Sequence, residues 1–280
     1  MNFNTNRRKF LKQSGLAGLG ILTLPSLVNS PGKKAVGVQL YSVRKEMLED
    51  PRGTLRQIAK IGFTELESAR SDKGNYYGLK PKEIKKIAGD LGMKVVSGHV
   101  HVDDQWSRSV DEAVEAGQEY LICSSMPTEG QTVSNYEKVA ETFSKAAEDC
   151  KKVNLKFGYH NHDYEFEKDG DKVLYDVLLE KTDPSLVNME LDLGWVIVTG
   201  NDPVKYFEKY PGRFPLWHLK DMDVAKKHSV EFGKGQINVS RMLNNAGKSG
   251  MKHFFVEQEE YASTAIESLT EDFRYLQKHQ

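Results

Sequence analysis

From Ala35 onward, short runs of β-branched and aromatic residues alternate with longer stretches in which apolar residues recur at helical spacing. The first run, Val36 to Tyr41, is followed by Leu55, Ile58 and Ala59 on one helical face. The pattern predicts strands at residues 36–41, 63–67, 94–102, 120–126, 156–166, 187–196, 214–222 and 253–259. It predicts helices at residues 54–61, 81–91, 110–116, 136–152, 203–209, 239–248 and 264–276.

Strands that alternate with helices favour a parallel sheet of the α/β class. Eight predicted strands in this order indicate a single (β/α)8 TIM barrel, which we place at residues 34–280 as one domain. An open, doubly wound sheet is the alternative architecture. That fold is less favoured because no glycine-rich, phosphate-binding turn follows the first predicted strand.

The first thirty residues have a different character from the rest of the chain. Their only charges are basic, and an apolar, glycine-rich run from Leu16 to Val28 follows them. This run is shorter than the roughly 20 residues that a transmembrane helix needs. The string Asn6–Lys12 (NRRKFLK) resembles a twin-arginine export signal. We therefore predict an export signal at residues 1–30, a periplasmic location, and no stable membrane span after the signal is processed.

Composition excludes several classes of protein. With 39% hydrophobic and 10% aromatic residues, the chain can form a large core, and two cysteines cannot form a disulfide framework. Four of the 39 basic residues lie in the predicted signal, so the rest carries 35 basic and 40 acidic residues, a net charge of −5. This acidic balance argues against a nucleic acid partner and against a phosphodiesterase of the abasic-site endonuclease type.

Polar side chains alternate near the ends of the last four predicted strands. The residues that share a face are Gly158, His160 and His162 on the fifth strand, Asn188, Glu190 and Asp192 on the sixth, Leu216, His218 and Lys220 on the seventh, and Phe255, Glu257 and Glu259 on the eighth. Active sites of such barrels lie at the carboxyl ends of the strands. A single buried histidine is usually only hydrogen-bonded, whereas four strands in register predict a functional site rich in metal ligands.

Six segments carry a resemblance to a known family. They are Gly37–Arg44 (GVQLYSVR), Tyr159–His162 (YHNH), Glu190–Asp192 (ELD), His218–Asp221 (HLKD), Gly233–Ile237 (GKGQI) and Val256–Gln258 (VEQ). With them the chain resembles the xylose-isomerase-like sugar isomerase and epimerase family, whose (β/α)8 barrels include inosose dehydratases and ketose 3-epimerases. The resemblance covers the chain after residue 34.

The resemblance implies one divalent metal ion, such as Mn²⁺, Zn²⁺ or Co²⁺. Its ligands would be His160, Asp192, His218 and Glu257. The ligand from the fifth strand is usually a glutamate in the epimerases, and His162 is the alternative to His160 at this position. Because a histidine replaces that glutamate, the symmetric scheme in which two metal-bound glutamates exchange a proton is not assured here.

The resemblance also implies a reaction. A sugar or polyol ketone isomerase or epimerase would remove a proton beside a carbonyl and form a metal-bound enediolate. Glu257, Lys220 and His162 are the candidate catalytic residues. One alternative is a lyase or dehydratase that shares this first step and then eliminates a β-substituent from an inosose or a 3-keto-glycoside. A non-catalytic exported sugar-binding protein is the other alternative.

Further residues are candidates for contact with a small carbohydrate substrate, although ordinary hydrogen bonding or packing is an alternative for each. They are His99, His101, Glu67, Trp195 and Tyr41. The predicted export favours unphosphorylated substrates over sugar phosphates, which are mainly cytosolic. The sequence is compatible with a homo-oligomer but does not specify one.

Overall fold

A computed structural model describes residues 35–279, and the predicted export signal at residues 1–30 lies outside this range. Eight parallel strands close into a barrel in which each strand pairs with its neighbours in chain order and the last pairs with the first. The barrel strands are β1 (Gly37–Gln39), β2 (Glu65–Ala69), β3 (Lys94–Val100), β4 (Tyr120–Cys123), β5 (Lys156–His160), β6 (Val187–Asp192), β7 (Leu216–Leu219) and β8 (His253–Val256). The predicted α/β class and (β/α)8 barrel are confirmed.

Helices surround the barrel. They are α1 (Arg44–Glu49), α2 (Pro51–Ile61), α3 (Pro81–Asp90), α4 (Trp106–Ala116), α5 (Val133–Lys152), α6 (Leu174–Lys181), α7 (Leu193–Val198), α8 (Pro203–Lys209), α9 (Val239–Asn244), α10 (Ala246–Ser249) and α11 (Ala265–His279). Local sequence explains their ends: the Asp50 side chain accepts a hydrogen bond from the Gly53 N–H at the start of α2, and Gly117 ends α4 with φ 75°. Among the helices of residues 35–279, none combines the length and hydropathy of a transmembrane span.

Shorter elements lie in the loops. Two hairpins pair Lys168–Asp169 with Lys172–Val173 and Asp221–Asp223 with His228–Val230, and 3₁₀ turns span Leu40–Val43 and Tyr164–Phe166.

Two apolar regions hold the barrel together. The larger lies between strands and helices, where the ring of Trp217 stacks on that of Phe207 with centroids 4.8 Å apart. The smaller region contains five buried side chains from β3, β4, β7 and β8: Val96, Tyr120, Ile122, Leu216 and Phe255. On β7 and β8 these side chains precede His218 and Glu257 by two residues, so they share the same inward face. The polar side chains are thereby displayed towards the carboxyl ends of the strands.

The fifth and sixth strands end earlier than predicted. β5 stops at His160, because the chain then turns into the 3₁₀ segment Tyr164–Phe166. β6 stops at Asp192, whose side chain accepts a hydrogen bond from the Trp195 N–H and caps α7. Trp195 therefore lies on a helix, and His162 lies on a loop rather than on the strand.

Candidate active site

A cavity of about 220 Å³ opens at the carboxyl ends of the barrel strands. All three predicted catalytic side chains line it, together with four of the five predicted substrate contacts; these residues are Glu257, Lys220, His162, Tyr41, His99, His101 and Trp195. The cavity is comparable in size to one sugar ring, and its wall combines charged groups with aromatic surfaces. Such a wall suits a polar ligand with apolar ring faces.

Lys220 lies between three carboxylates. Its Nζ is 3.1 Å from Asp192 Oδ2, 2.7 Å from Glu257 Oε2 and 2.7 Å from Glu259 Oε1. Burial alone would lower the pKa of Lys220, but the three negative charges outweigh burial and raise the pKa well above its ordinary value. Lys220 is therefore a fixed ammonium with three carboxylate partners.

Glu257 is held by two cations. Its Oε2 lies 2.9 Å from His218 Nδ1 in addition to its contact with Lys220. Burial would raise the pKa of Glu257, but the charges of Lys220 and then His218 outweigh it and hold the pKa well below the ordinary value. The carboxylate is thus ionised and faces the cavity.

Glu259 differs from Glu257 in its surroundings. The charge of Lys220 lowers the pKa of Glu259, but burial and the negative charge of Glu257 together outweigh it, so the pKa is raised. The Glu259 side chain is 27% exposed, whereas that of Glu257 is 7% exposed. Lys220 therefore forms ion pairs with one buried and one more accessible carboxylate at the same cavity.

Three of the four predicted metal ligands, Asp192, His218 and Glu257, form one group that could share an ion, and the fourth, His160, lies beside Asp192. Asp192 Oδ2 lies 4.0 Å from His160 Nε2 and 3.9 Å from His218 Nδ1, which is itself 2.9 Å from Glu257 Oε2. Bonds of about 2.1 Å in tetrahedral geometry place ligand atoms about 3.4 Å apart, so these separations are close to those that one ion requires. Asp192 Oδ2 is buried and accepts no hydrogen bond from the described residues. This oxygen has an ionic contact with Lys220 Nζ and lies among imidazoles and a second carboxylate, a set of donor atoms that fits a divalent cation.

His160 fits the role of the ligand from β5. Burial and the nearby positive charges of His218 and His99 hold its pKa well below the ordinary value, so its ring is neutral and has a free lone pair. Among the described residues, the groups of side chains that could share an ion are His99, His160, Glu190 and His218, and Asp192, His218 and Glu257. His160 belongs to the first group and faces the second, whereas neither group contains His162.

His162 faces the cavity from the loop after β5. Burial, and next the charge of Lys220, lower its pKa to about 4, so the imidazole is neutral. Its backbone N–H donates to Glu165 Oε2 at 2.8 Å, and the Tyr159 hydroxyl donates to the other oxygen of Glu165. The buried Glu165 thus fixes the loop that carries His162.

The prediction that Glu67 contacts substrate is not supported by its position. Glu67 is fully buried and accepts hydrogen bonds from Gln39 Nε2 at 2.9 Å and from His218 Nε2 at 2.6 Å. Its partners are therefore side chains beneath the cavity, because β2 turns this carboxylate into the barrel interior. Tyr41 lines the cavity from a 3₁₀ turn rather than from the strand end.

Sequence reasoning missed several residues of the site, among them Arg70 and Glu190. Arg70 lines the cavity directly after β2 and pairs with Asp103. It was missed because β2 extends to Ala69, two residues beyond the predicted end, across a register shift against β3. Glu190 was placed on the correct face of its strand but was not selected, although its alternation with Asp192 was the available signal.

Comparison with known proteins identifies the family. A family model described as a xylose isomerase-like TIM barrel matches residues 55–279. The chain belongs to this family. The xylose isomerase-like barrels similar to it include enzymes named as dehydratases and as isomerases or epimerases. The family and the fold that the sequence resemblance implied are thus confirmed.

Three xylose isomerase-like proteins illustrate the similarity. The inosose dehydratase of Geobacillus kaustophilus is 29% identical over 106 residues, which cover 36% of this chain and 34% of that enzyme. The inosose dehydratase of Clostridium perfringens is 29% identical over 204 residues, 64% of this chain and 66% of that enzyme. The matches thus span about a third and just under two thirds of these two relatives. A crystal structure of a sugar phosphate isomerase/epimerase from Parabacteroides distasonis superposes with a TM-score of 0.79 and 29% identity, covering 88% of this chain and 98% of that one.

Proposed function

We propose that this protein is a carbon–oxygen lyase acting on a keto-sugar or a cyclic polyol ketone. The observation that carries the proposal is the pair of carboxylates, Glu257 and Glu259, that Lys220 joins at the wall of the cavity. Elimination of water requires a base for the proton beside the carbonyl and an acid for the departing hydroxyl. The relatives named inosose dehydratase support elimination as the second half of the reaction.

The proposed metal ligands are His160, Asp192, His218 and Glu257. A divalent ion bound by them would polarise a substrate carbonyl and its neighbouring hydroxyl and so acidify the adjacent C–H. Of these side chains, His160 and Glu257 also line the cavity, while Asp192 and His218 are completely buried behind it.

Different residues of the cavity remove and donate protons. Glu257 removes the proton beside the carbonyl, and the electron pair of the broken C–H bond delocalises to give an enediolate. The fixed ammonium of Lys220 stabilises the negative charge that develops there. The electrons then form a C=C bond as the β C–O bond breaks, and Glu259 protonates the departing hydroxyl to give water. His162, which is neutral, accepts a hydrogen bond from a substrate hydroxyl.

An isomerase or epimerase is the second candidate. It is favoured by the Parabacteroides structure, which is named a sugar phosphate isomerase/epimerase and is similar over nearly its whole length. The same enediolate would then be reprotonated on a neighbouring carbon or on the opposite face, without loss of a substituent. The two candidates share Glu257 as base and differ only after the first step.

Solvent exchange tests the proposal. The protein, loaded with Mn²⁺, is incubated in D₂O with cyclic polyol ketones, keto-sugars and 3-keto-glycosides, and deuterium at the carbon beside the carbonyl is measured. We expect metal-dependent exchange, with a product one water lighter, or with release of the aglycone from a glycoside. Glu257→Gln should reduce exchange by about 100-fold or more, the usual contribution of a general base.

The matched control is Asp223→Asn, which alters a half-buried carboxylate paired with Lys226 outside the cavity. It should leave exchange unchanged. Exchange with an isomerised product of unchanged mass would overturn the lyase in favour of the isomerase. Retention of no metal and exchange with no ketone would overturn both candidates and leave the non-catalytic sugar-binding protein.

We also propose that the protein is exported to the periplasm, on the basis of the string Asn6–Lys12. Replacing Arg7 and Arg8 together by lysine keeps the charge but removes the arginine pair. In fractionated cells of a host with a twin-arginine pathway, the native chain should be periplasmic and the lysine variant cytoplasmic. Equal distribution of the two chains would contradict export by this route.

A further inference from the structure

A second layer of polar side chains lies beneath the proposed metal ligands. This inner layer consists of Glu67 and Glu190, both buried, with Gln39 beside them, and it contacts the ring of His99, which also lines the cavity. Glu67 Oε2 lies 2.6 Å from His218 Nε2, 2.9 Å from Gln39 Nε2 and 3.3 Å from His99 Nε2. Glu190 Oε2 lies closer to His99 Nε2, at 2.7 Å. His99 is therefore closer to Glu190 than to Glu67. The shortest hydrogen bond of Glu67 is the one with His218.

The ring of His218 lies between the two layers. Its Nδ1 faces Glu257 Oε2 at 2.9 Å and Asp192 Oδ2 at 3.9 Å, both on the metal side. Its Nε2 faces Glu67 on the opposite side. The two nitrogens of this imidazole thus have different partners: Nδ1 faces the proposed ligands Asp192 and Glu257, and Nε2 faces Glu67, with Glu190 Oε2 farther away at 3.4 Å.

The contact between Glu67 and His218 crosses the barrel. Glu67 lies on β2 and His218 on β7, and β1 and β8 separate these strands in the barrel order. Sheet hydrogen bonding therefore does not bring the two residues together; the length of the glutamate side chain does. The amide of Gln39 on β1, next to β2, also donates to Glu67 Oε2 and so orients the carboxylate.

We propose that Glu67 is a positioning residue for the metal: it holds the Nε2–H of His218 and thereby presents Nδ1 to the ion. A carboxylate that accepts the second N–H of a ligating histidine fixes the tautomer and the ring orientation and makes the ligand nitrogen more basic. The inference rests on the proposed function only in that it requires an ion at His160, Asp192, His218 and Glu257. It assigns to Glu67 an effect on metal affinity rather than contact with substrate.

A second glutamate on the same strand provides a matched control. Glu65 lies two residues before Glu67 and accepts a hydrogen bond from His253 Nδ1 at 2.8 Å, also between a carboxylate and an imidazole. His253 is the first residue of β8, so this pair lies at the opposite end of the barrel from the cavity. Glu65→Gln and Glu67→Gln therefore each change a glutamate of β2 that is hydrogen-bonded to an imidazole. Only Glu67 is bonded to a proposed metal ligand, His218.

The experiment measures Mn²⁺ dissociation constants for the full chain by competition with a fluorescent chelator. Glu67→Gln should weaken Mn²⁺ binding by about 10- to 100-fold, the usual cost of losing such a partner. Glu65→Gln should leave the dissociation constant unchanged, even if it lowers the midpoint of thermal unfolding. An unchanged dissociation constant in Glu67→Gln, or equal weakening in both variants, would overturn the assignment of Glu67.

A measurement on the native protein keeps the inference testable if Glu67→Gln does not fold. In the Zn²⁺-loaded protein, long-range ¹H–¹⁵N spectra should show His218 with its proton on Nε2 and its Nδ1 bound to metal. The opposite assignment of the nitrogens would overturn the inference and leave the metal site intact. Failure of the native protein to bind Mn²⁺ or Zn²⁺ would instead overturn the metal site of the proposed function, and the role of Glu67 with it.

Discussion

Lys220 and a metal ion would interact with the same carboxylates. Without an ion, the ammonium neutralises part of the negative charge of Asp192, Glu257 and Glu259. Of these, Asp192 and Glu257 are proposed metal ligands. Buried carboxylates without a counter-charge are strongly destabilising. Under the proposed function, Lys220 would therefore act twice at this site: it would stabilise the fold before the metal binds and present a fixed positive charge to the substrate afterwards.

Replacement of this ammonium should affect stability in a metal-dependent way. Lys220→Met removes the positive charge that Asp192, Glu257 and Glu259 share and leaves only Glu257 within hydrogen-bond distance of a second cationic partner, His218, so we expect the free energy of unfolding of the metal-free protein to fall by about 3–5 kcal/mol. With saturating Mn²⁺ the loss relative to the native protein should be smaller, because the ion then supplies positive charge to Asp192 and Glu257. Urea unfolding with and without Mn²⁺ measures both values.

The control for this prediction is Lys227→Met, which breaks the exposed pair with Asp163. Surface pairs contribute less than about 1 kcal/mol, with no reason to depend on Mn²⁺. If the loss of stability in Lys220→Met is the same with and without Mn²⁺, the ion and the ammonium do not share these carboxylates.

At this scale, periodicity predicted part of the site. Alternation at the strand ends placed His160, Asp192, His218 and Glu257 among the polar residues of one inward face, because neighbouring parallel strands bring their carboxyl ends together, and the family resemblance then selected these four as ligands. It could not assign a role to Glu67. That role depends on contact with a residue 151 positions later across the barrel, and no local pattern encodes which side chains meet there.

Among the secondary-structure elements, the turn after β7 explains two of the segments on which the family resemblance rests. Asp221 accepts hydrogen bonds from the backbone N–H groups of Gly233, Gly235, Ile237 and Met222. A Cβ on Gly235 would lie 2.2 Å from Asp221 Oδ1, so only glycine permits this close approach. The segments HLKD and GKGQI are therefore two halves of one structure, which fixes the chain directly after Lys220.

The errors at this scale also have physical causes. The polar and apolar order of residues 187–196 reads as one strand, yet the Asp192 side chain caps a helix and ends the strand. Helix α6 was not predicted, because five of its eight residues are buried apolar or aromatic side chains and leave little amphipathic pattern. Strand ends and fully covered helices depend on tertiary contacts, which residue spacing does not show.

At the scale of the whole molecule, α11 packs against the early part of the barrel. Phe273 on α11 packs edge-on against Phe63, just before β2, with ring centroids 5.1 Å apart. On the same helix, the buried Asp272 accepts a hydrogen bond from the Phe232 N–H at 2.7 Å. The contact between α11 and Phe232 therefore buries a carboxyl group that has a single hydrogen-bond donor among the described residues.

This carboxyl group should make stability depend on pH. Burial raises the pKa of Asp272 from 3.8 to about 8; the Phe232 N–H lowers it, and the charges of Glu231 and Asp221 raise it further. The folded protein thus keeps this proton over a range in which the unfolded chain has lost it, so the group stabilises the fold at low pH and stability falls as pH rises towards 8.

Asp272→Asn tests this dependence, because the amide keeps an oxygen for the Phe232 N–H and cannot ionise. The contribution of Asp272 changes by about 1.4 kcal/mol for each pH unit while only the unfolded chain is ionised. The free energy of unfolding should therefore decline less steeply with pH in the variant than in the native protein, and the difference should grow from 3.8 to about 8. Urea titrations across this range measure it. Parallel profiles would mean that the folded carboxyl ionises without penalty, which would contradict the effect expected from its burial on α11.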